Sequence, residues 1–531
     1  MSPLLLLLLL LAAVYSEFTP PENSTGLKFT VAFPENIAHY HPVRPQNKVQ
    51  ITALYDDTEV NIKSSTYSST NPILNEGESK EYISDTRLEL WKTGVSDHSV
   101  QIISNKQITV HAIHLKHNSV QTALVLPTNK LGTEYLIPPV PKIQGTTLPA
   151  DIVTPDVPER GPFKLIIING DKENKVTVEG IETEEVSLKP NQIWVKEDKA
   201  LRTVKANEPV AVLFGHTCAI QHNCTCGQLY AMLPPATEEK LKFYIPPILA
   251  KNIEGESFVL LSDKQSTKVK PFDPDSPLVE IAGTAIFYRP GLLLTLIPET
   301  DFAACYVVNS IPDTESSALI VVHQDLTDGV HVGSVPLENP DWQKLKGTEY
   351  VSTLVGLASD KSVIWHGSSK MAVYFVGTKG SASFGNPAAI ISKSPDFRGC
   401  VLSPEVIKIG EVANGWRESL KYCKDQTMEL ISFPEAQLQR QVSKKIFQAN
   451  DDSLKEVWIG MRRSSQSGEW YWLNTAPVND TNWEDGEPGT VHDGQCAIMS
   501  LEKDKDFGWS DEDCCKAARP VCYTKPIFLP I

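Results

Sequence analysis

The C-terminal quarter of the chain is punctuated by Val457-Trp458-Ile459-Gly460-Met461, Trp470-Tyr471-Trp472, Trp483-Glu484-Asp485-Gly486-Glu487-Pro488-Gly489, Cys496-Ala497-Ile498-Met499, Trp509-Ser510-Asp511-Glu512-Asp513-Cys514 and Pro520-Val521-Cys522-Tyr523. Ahead of them, Trp416, Leu420 and Cys423 stand at i, i+4 and i+7, the apolar stripe of a helix. Ser432-x-x-Glu435 reads as a capping box opening a second helix that carries Ala436, Val442 and Ile446. Six of the ten tryptophans fall in this stretch, which suits a small α+β domain with an aromatic core.

In order and spacing these phrases resemble the C-type lectin domain family, over about residues 398–524, and the domain is expected to span residues 395–531. The resemblance implies that Trp458-Ile459-Gly460 is a core strand whose residues pack and do not bind. It also implies two disulfides, Cys423 with Cys522 and Cys496 with Cys514. Cys514 and Cys515 are adjacent and cannot bond each other without strain, so Cys515 is expected to pair with Cys400.

In that family sugar binding runs through calcium, which takes six to eight oxygens at about 2.3–2.6 Å and lets sugar hydroxyls replace water in its shell. The resemblance implies ligands from a Glu-Pro-Asn or Gln-Pro-Asp triplet, a downstream acid, and an Asn-Asp pair after a tryptophan. Here the triplet is Glu487-Pro488-Gly489, and glycine offers no side-chain oxygen. The pair is Ser510-Asp511, a hydroxyl in place of an amide, and the downstream acid is Asp493, three residues before Cys496. Glu487, Asp493 and Asp511 are therefore the candidate calcium ligands, and Glu487, Ser510 and Asp511 the candidate sugar contacts. Glu487-Pro488 implies a mannose-type preference.

Working toward the N terminus, the 531 residues allow about three or four domains. Leu4–Leu11 followed by Ala12-Ala13-Val14 has the length of a signal-peptide core and is too short to span a bilayer. Cleavage is expected after Ser16, giving a secreted, extracellular protein with no membrane span. The net charge of −16 argues against nucleic acid as a partner, because phosphate capture needs local positive charge. The ten cysteines divide evenly into Cys218, Cys224, Cys226 and Cys305, then Cys400, Cys423, Cys496, Cys514, Cys515 and Cys522. In an oxidising compartment all ten are expected in disulfides, with Cys305 taking a partner from the 218–226 cluster. Asn23 and Asn479 begin glycosylation sequons.

Residues 17–394 repeat. Gly132-Thr133-Glu134-Tyr135 recurs as Gly347-Thr348-Glu349-Tyr350, with Tyr244 halfway between, at intervals of 109 and 106. Each unit contains a strand, a polar turn and an alternating strand, as in Ile51–Tyr55 then Thr58–Ile62, Leu165–Ile168 then Lys175–Val178, and Phe258–Leu261 then Thr267–Lys270. These are hairpin signals, and they predict three β-sandwich-like units of about 107 residues plus a partial one from Val335. The Leu-Pro…Gly-Thr-Glu-Tyr phrase and Gly215-His216-Thr217-Cys218…Leu233-Pro234-Pro235 resemble the N-terminal region of the IgGFc-binding-protein family, over about residues 100–390. That resemblance implies adhesion or presentation, with immunoglobulin or mucin-type proteins as partners.

The expected fold is thus a mostly β repeat region followed by an α+β C-type lectin-like domain. His111-x-x-His114-x-x-His117 lies in a β-alternating stretch, where His114 points away from the other two, so surface or half-buried histidines are expected rather than a metal site. Cys218 with Cys224-Thr225-Cys226 lacks a fourth zinc ligand nearby. No Gly-x-Ser-x-Gly elbow, phosphate loop or His-Glu-x-x-His occurs, so no enzyme is expected. Two functions compete: a secreted lectin binding glycans or glycoproteins in mucosal or innate defence through calcium, and a non-catalytic protein adhesion module with a degenerate calcium and sugar site.

Overall fold

The structure is a computed structural model that describes residues 23–37, 44–66, 69–117, 119–141, 163–197, 200–222, 225–250, 256–357, 361–380, 382–449, 454–490, 492–502 and 504–531. Strands account for 52% and helices for 9%. The chain forms two compact units, one of residues 1–402 with 528–531 and one of residues 403–527. The expected leader, residues 1–16, lies outside the described residues.

In the first unit one long strand organises each of the first two repeats. Val100–Lys116 pairs with Thr58–Ser64 through Val100–Ser104 and with Gln46–Ala53 through Ile108–Leu115. It then folds back on itself through Ser119–Val125. Thr203–His222 repeats the arrangement, pairing with Asn174–Glu179, then Lys164–Asn169, and returning through Thr225–Met232. Two of the three expected hairpins are therefore not hairpins. The strands either side of Asp56-Asp57, and those either side of Asn169-Gly170-Asp171, do not pair with each other, because both pair along one long strand. Only Phe258–Asp263 and Thr267–Pro271 pair directly. The alternating apolar residues of these strands point inward, and Val49, Ile51, Val60, Ile62, Ile102 and Val110 fill one core.

The last sandwich of this unit begins with Cys305–Asn309, not at Val335. Val335–Pro336 is a two-residue edge of a five-stranded sheet that already contains Cys305–Asn309. The repeated Gly-Thr-Glu-Tyr phrase does not mark repeated surroundings either. Tyr135 is buried, its hydroxyl accepting from Gly132 N and donating to Val210 O. Tyr350 is half-buried and donates to Glu299 Oε1 at 2.7 Å. The residue that repeats the bonding of Tyr135 is Tyr306, which accepts from Ala303 N and donates to Met371 O.

The cysteines correct two expectations. Cys400 is buried and bonded to Cys305, with 5.5 Å between their Cα atoms, so neither takes the expected partner. Cys515 is an exposed free thiol. Cys218 is disulfide-bonded, while Cys224 and the side chain of Cys226 lie outside the described residues. The Cys305–Cys400 bond holds residues 395–402 in the first unit, so the division falls after Leu402 rather than Ser394. Leu529 is buried there too, its N–H donating to Cys400 O at 2.8 Å.

His111 and His114 are buried rather than at the surface. They face opposite sides of Val100–Lys116, opposite Gln50 and Asn47 of the neighbouring strand. His117 sits at the following turn with φ of 53°. Among the described residues no three His, Cys, Asp or Glu side chains gather at metal-binding spacing.

Candidate functional site

The second unit is built around Glu456–Arg463, whose Val457, Trp458, Ile459 and Met461 are fully buried. Gly460 is required by a close approach, since a Cβ there would lie 2.6 Å from Leu430 O. The strand pairs with Trp470–Trp472, Cys496–Ser500 and Arg519–Thr524. Helix Trp416–Asp425 buries Trp416 and Cys423, and the Trp416 indole donates to Ile459 O at 2.9 Å. The second helix, Ala436–Ala449, is not capped by Ser432, whose hydroxyl is buried without a partner among the described residues. Asp480 from a distant loop accepts from Ala436 N at 3.0 Å instead, a long-range cap invisible to a local motif. Cys423–Cys522 and Cys496–Cys514 are both bonded.

Strand Trp509–Glu512 pairs with Cys496–Ser500 and places Asp511 opposite Ala497, nearly buried at 8% exposure. The loop before it brings Glu487 alongside, in a segment whose Glu487–Pro488 peptide is cis. The two carboxyl groups are neighbours, and Asp511 N faces Glu487 Oε2 at 3.5 Å. This contact with Asp511, reinforced by burial, holds the Glu487 carboxyl above the usual glutamate range. Asp511 Oδ1 accepts from Gly489 N at 2.6 Å, while Oδ2 is buried with no donor among the described residues. Two acids so placed call for a shared proton or a cation between them.

Asp493 is near but differently employed. Its Oδ2 accepts from Thr490 N and Oγ1, at 2.6 and 2.8 Å, and these bonds hold its carboxyl below the usual aspartate range. A Cβ on Gly489 would fall 2.7 Å from that same oxygen. The Asp493 carboxylate therefore occupies the space a side chain at 489 would enter, and an added side chain there would displace this exposed carboxylate from Thr490. Ser510 is half-buried, one residue before Asp511. The structure thus joins Glu487 to Asp511 and sets Asp493 against Gly489-Thr490.

The sequence did not single out Arg463. Its Nη1 donates to Thr490 O at 2.8 Å and Gly489 O at 3.3 Å, and its Nε to Gly468 O at 3.0 Å. The guanidinium lies 5.6 Å from the Trp470 ring centre, and Trp470 packs on Trp483. The main chain at 489–490 is thereby held on both sides, its amides by Asp511 and Asp493 and its carbonyls by Arg463. An arginine at the end of a core strand carries no local signal of this role. Arg463→Met should cost about 1–2 kcal/mol and raise amide hydrogen exchange at 489–490, while Arg463→Lys recovers part of the protection. Exchange unchanged in Arg463→Met would show that the loop is held by the acids alone.

As a calcium site, the geometry offers Glu487 and the orphaned Asp511 oxygen, with Asp493 spent on Thr490. These residues fit the ion as a two-carboxylate, water-rich site, in which water, main-chain carbonyls and ligand hydroxyls supply the remaining oxygens.

An aromatic-cored α+β unit with two disulfides and an acidic pair at its loop end defines a class. Residues 412–524 match the family model for the lectin C-type domain, and the chain carries a C-type lectin domain at its C terminus. Human IgGFc-binding protein is 25% identical over 314 residues, 52% of this chain and 6% of that protein. Human C-type mannose receptor 2 is 29% identical over 111 residues, 21% of this chain and 7% of the receptor. The C-type lectin lectoxin-Phi1 of Philodryas olfersii is 28% identical over 109 residues, 20% of this chain and 69% of that protein. Among solved structures, human lithostathine is 23% identical with a TM-score of 0.21, covering 23% of this chain and 92% of its own. The chain spans less than a tenth of the length of the IgGFc-binding protein and the mannose receptor it matches. No helix among the described residues is long and apolar enough to cross a membrane.

Proposed function

We propose that this is a secreted, non-catalytic recognition protein that binds glycans or glycoproteins at the Glu487–Asp511 end of its lectin domain, in mucosal or innate defence. The carrying observation is the acidic pair itself, with one Asp511 oxygen buried and without a donor among the described residues. A bound calcium supplies open coordination positions that vicinal sugar hydroxyls fill. Glu487 and Asp511 hold it, and Arg463 and Asp493 fix the main chain beside them. The β repeats present the lectin domain, with immunoglobulin or mucin-type proteins as further partners by likeness to the IgGFc-binding protein. Asn479, exposed on a loop, and Asn23 are the sites for N-linked sugar.

Protein adhesion through the lectin fold is the second reading. It is favoured by the commitment of Asp493 to Thr490, which leaves two acids where the lectin pattern uses more.

Calorimetric titration of the full chain with calcium, then with mannose and galactose polymers, separates them. Calcium-dependent heat with the mannose polymer, weakened about tenfold or more in Glu487→Gln, supports the lectin reading. Absence of any calcium-linked sugar heat leaves protein adhesion. Because Glu487 keeps its proton to higher pH than an ordinary glutamate, calcium binding weakens as pH falls and does so from a higher starting pH.

A further inference from the structure

In the first unit, strands Ser119–Val125, Thr225–Met232, Leu292–Thr295 and Ala382–Pro387 border a partly open, mostly apolar pocket of about 150 Å³. Strand alternation directs Leu124 and Met232 toward it, and Leu126, Ile297 and Pro387 complete much of the wall.

The polar groups of the wall are already committed. Thr122 Oγ1 donates to Asn386 Oδ1, and Asn386 Nδ2 donates to Pro387 O at 2.7 Å. Thr295 Oγ1 donates to Met232 O at 2.9 Å, Ile390 N to Ser24 Oγ at 3.0 Å, and Ile297 N to Tyr374 Oη at 2.9 Å. Asp301 lies against Lys393 Nζ at 3.1 Å. An ordered water needs two to four polar partners, and these groups are turned to one another instead. The pocket has room for about one benzene ring, and burying such a ring against its apolar wall removes hydrocarbon surface from water.

We propose that this pocket binds a small uncharged apolar molecule, from a single aromatic ring to a short branched alkyl group. A charged ligand would forfeit hydration against a wall that is mostly apolar and whose one carboxylate, Asp301, already faces Lys393. The site is independent of the lectin reading, since every wall residue lies in the first unit.

The test uses the full chain with benzene, indole and xenon as probes, followed by ligand-observed and xenon NMR. Saturable binding of benzene or xenon at about millimolar concentration or below is expected. Met232→Trp fills the space and should abolish it without lowering the melting temperature. Leu124→Ala widens the space and should shift preference from benzene toward naphthalene. No saturable binding of any probe by the natural chain overturns the proposal. Undiminished binding in a folded Met232→Trp also overturns it, as does an unchanged probe preference in Leu124→Ala.

Discussion

Acidification from pH 6.5 to pH 4 will destabilise the first unit, with a loss on the order of 3 kcal/mol from each of His111 and His114 before other groups offset part of it. Both residues are buried, and burial pulls their pKa values down to about 4 and about 3. The Nδ1 atom of each is without a partner among the described residues, so at that nitrogen no acceptor offsets the charge that protonation would create. In the unfolded chain the same rings take up a proton near pH 6.5. Between there and pH 4 the unfolded state holds protons the folded state refuses, so stability is complete at neutral pH and falls as acid is added. His366, also lowered by burial, acts with the same sign. Glu89, which accepts from Asn47 opposite His114, and Glu35 are held high by burial and give back part of the loss at the acid end. The lectin unit holds a single histidine, the exposed His492, and serves as an internal control. Calorimetry at pH 7, 5.5 and 4.5 should show the first unit's transition descending much faster than the second's. His111→Leu with His114→Leu should flatten that slope. Equal descent of the two transitions would sink the assignment.

Much of this architecture was legible because it is written in local pattern. Alternation marks strands at Ile51–Tyr55, Thr58–Ile62, Leu165–Ile168 and Lys175–Val178, which overlap Gln46–Ala53, Thr58–Ser64, Lys164–Asn169 and Asn174–Glu179, and the tryptophan phrases mark the lectin domain. What failed was pairing over distance. Nothing near Asp56-Asp57 announces that its flanking strands pair along a strand fifty residues later. Gly-Thr-Glu-Tyr repeats as text, but the buried hydroxyl bridge of Tyr135 recurs at Tyr306 in different words. His111 and His114 carry no mark of depth, since a strand enclosed on both faces loses the alternation that would sort them. At the candidate site the sequence named Glu487, Asp493 and Asp511, and exposed the lack of an oxygen at Gly489. It could not say that Asp493 fills that space, or that Arg463 grips the carbonyls beside it, because both depend on how the loop folds back.

Removing Cys423–Cys522 should nearly dismantle the lectin unit and leave the first unit alone. The bond joins positions 99 residues apart, at the end of helix Trp416–Asp425 and in strand Arg519–Thr524. In the chain-entropy account a loop of that length is worth about 4–5 kcal/mol, and both sulfurs sit in the core beside Trp416 and Trp458. A domain of this size has about 6–18 kcal/mol in hand, so Cys423→Ala with Cys522→Ala takes a large share of it. Cys496–Cys514 spans only 18 residues and by the same account is worth about 3 kcal/mol. Its strand pair carries Asp511, however, so its loss loosens the site before it melts the fold. Scanning calorimetry beside calcium titration should therefore order the variants differently on the two axes. Loss of Cys423–Cys522 lowers the lectin transition most. Loss of Cys496–Cys514 lowers it less but weakens calcium binding at temperatures where the unit remains folded. Glu487→Gln weakens binding with the transition nearly unmoved. If both disulfide variants lost stability and binding in one fixed proportion, the acidic pair would be an ordinary part of the fold rather than a separately held site.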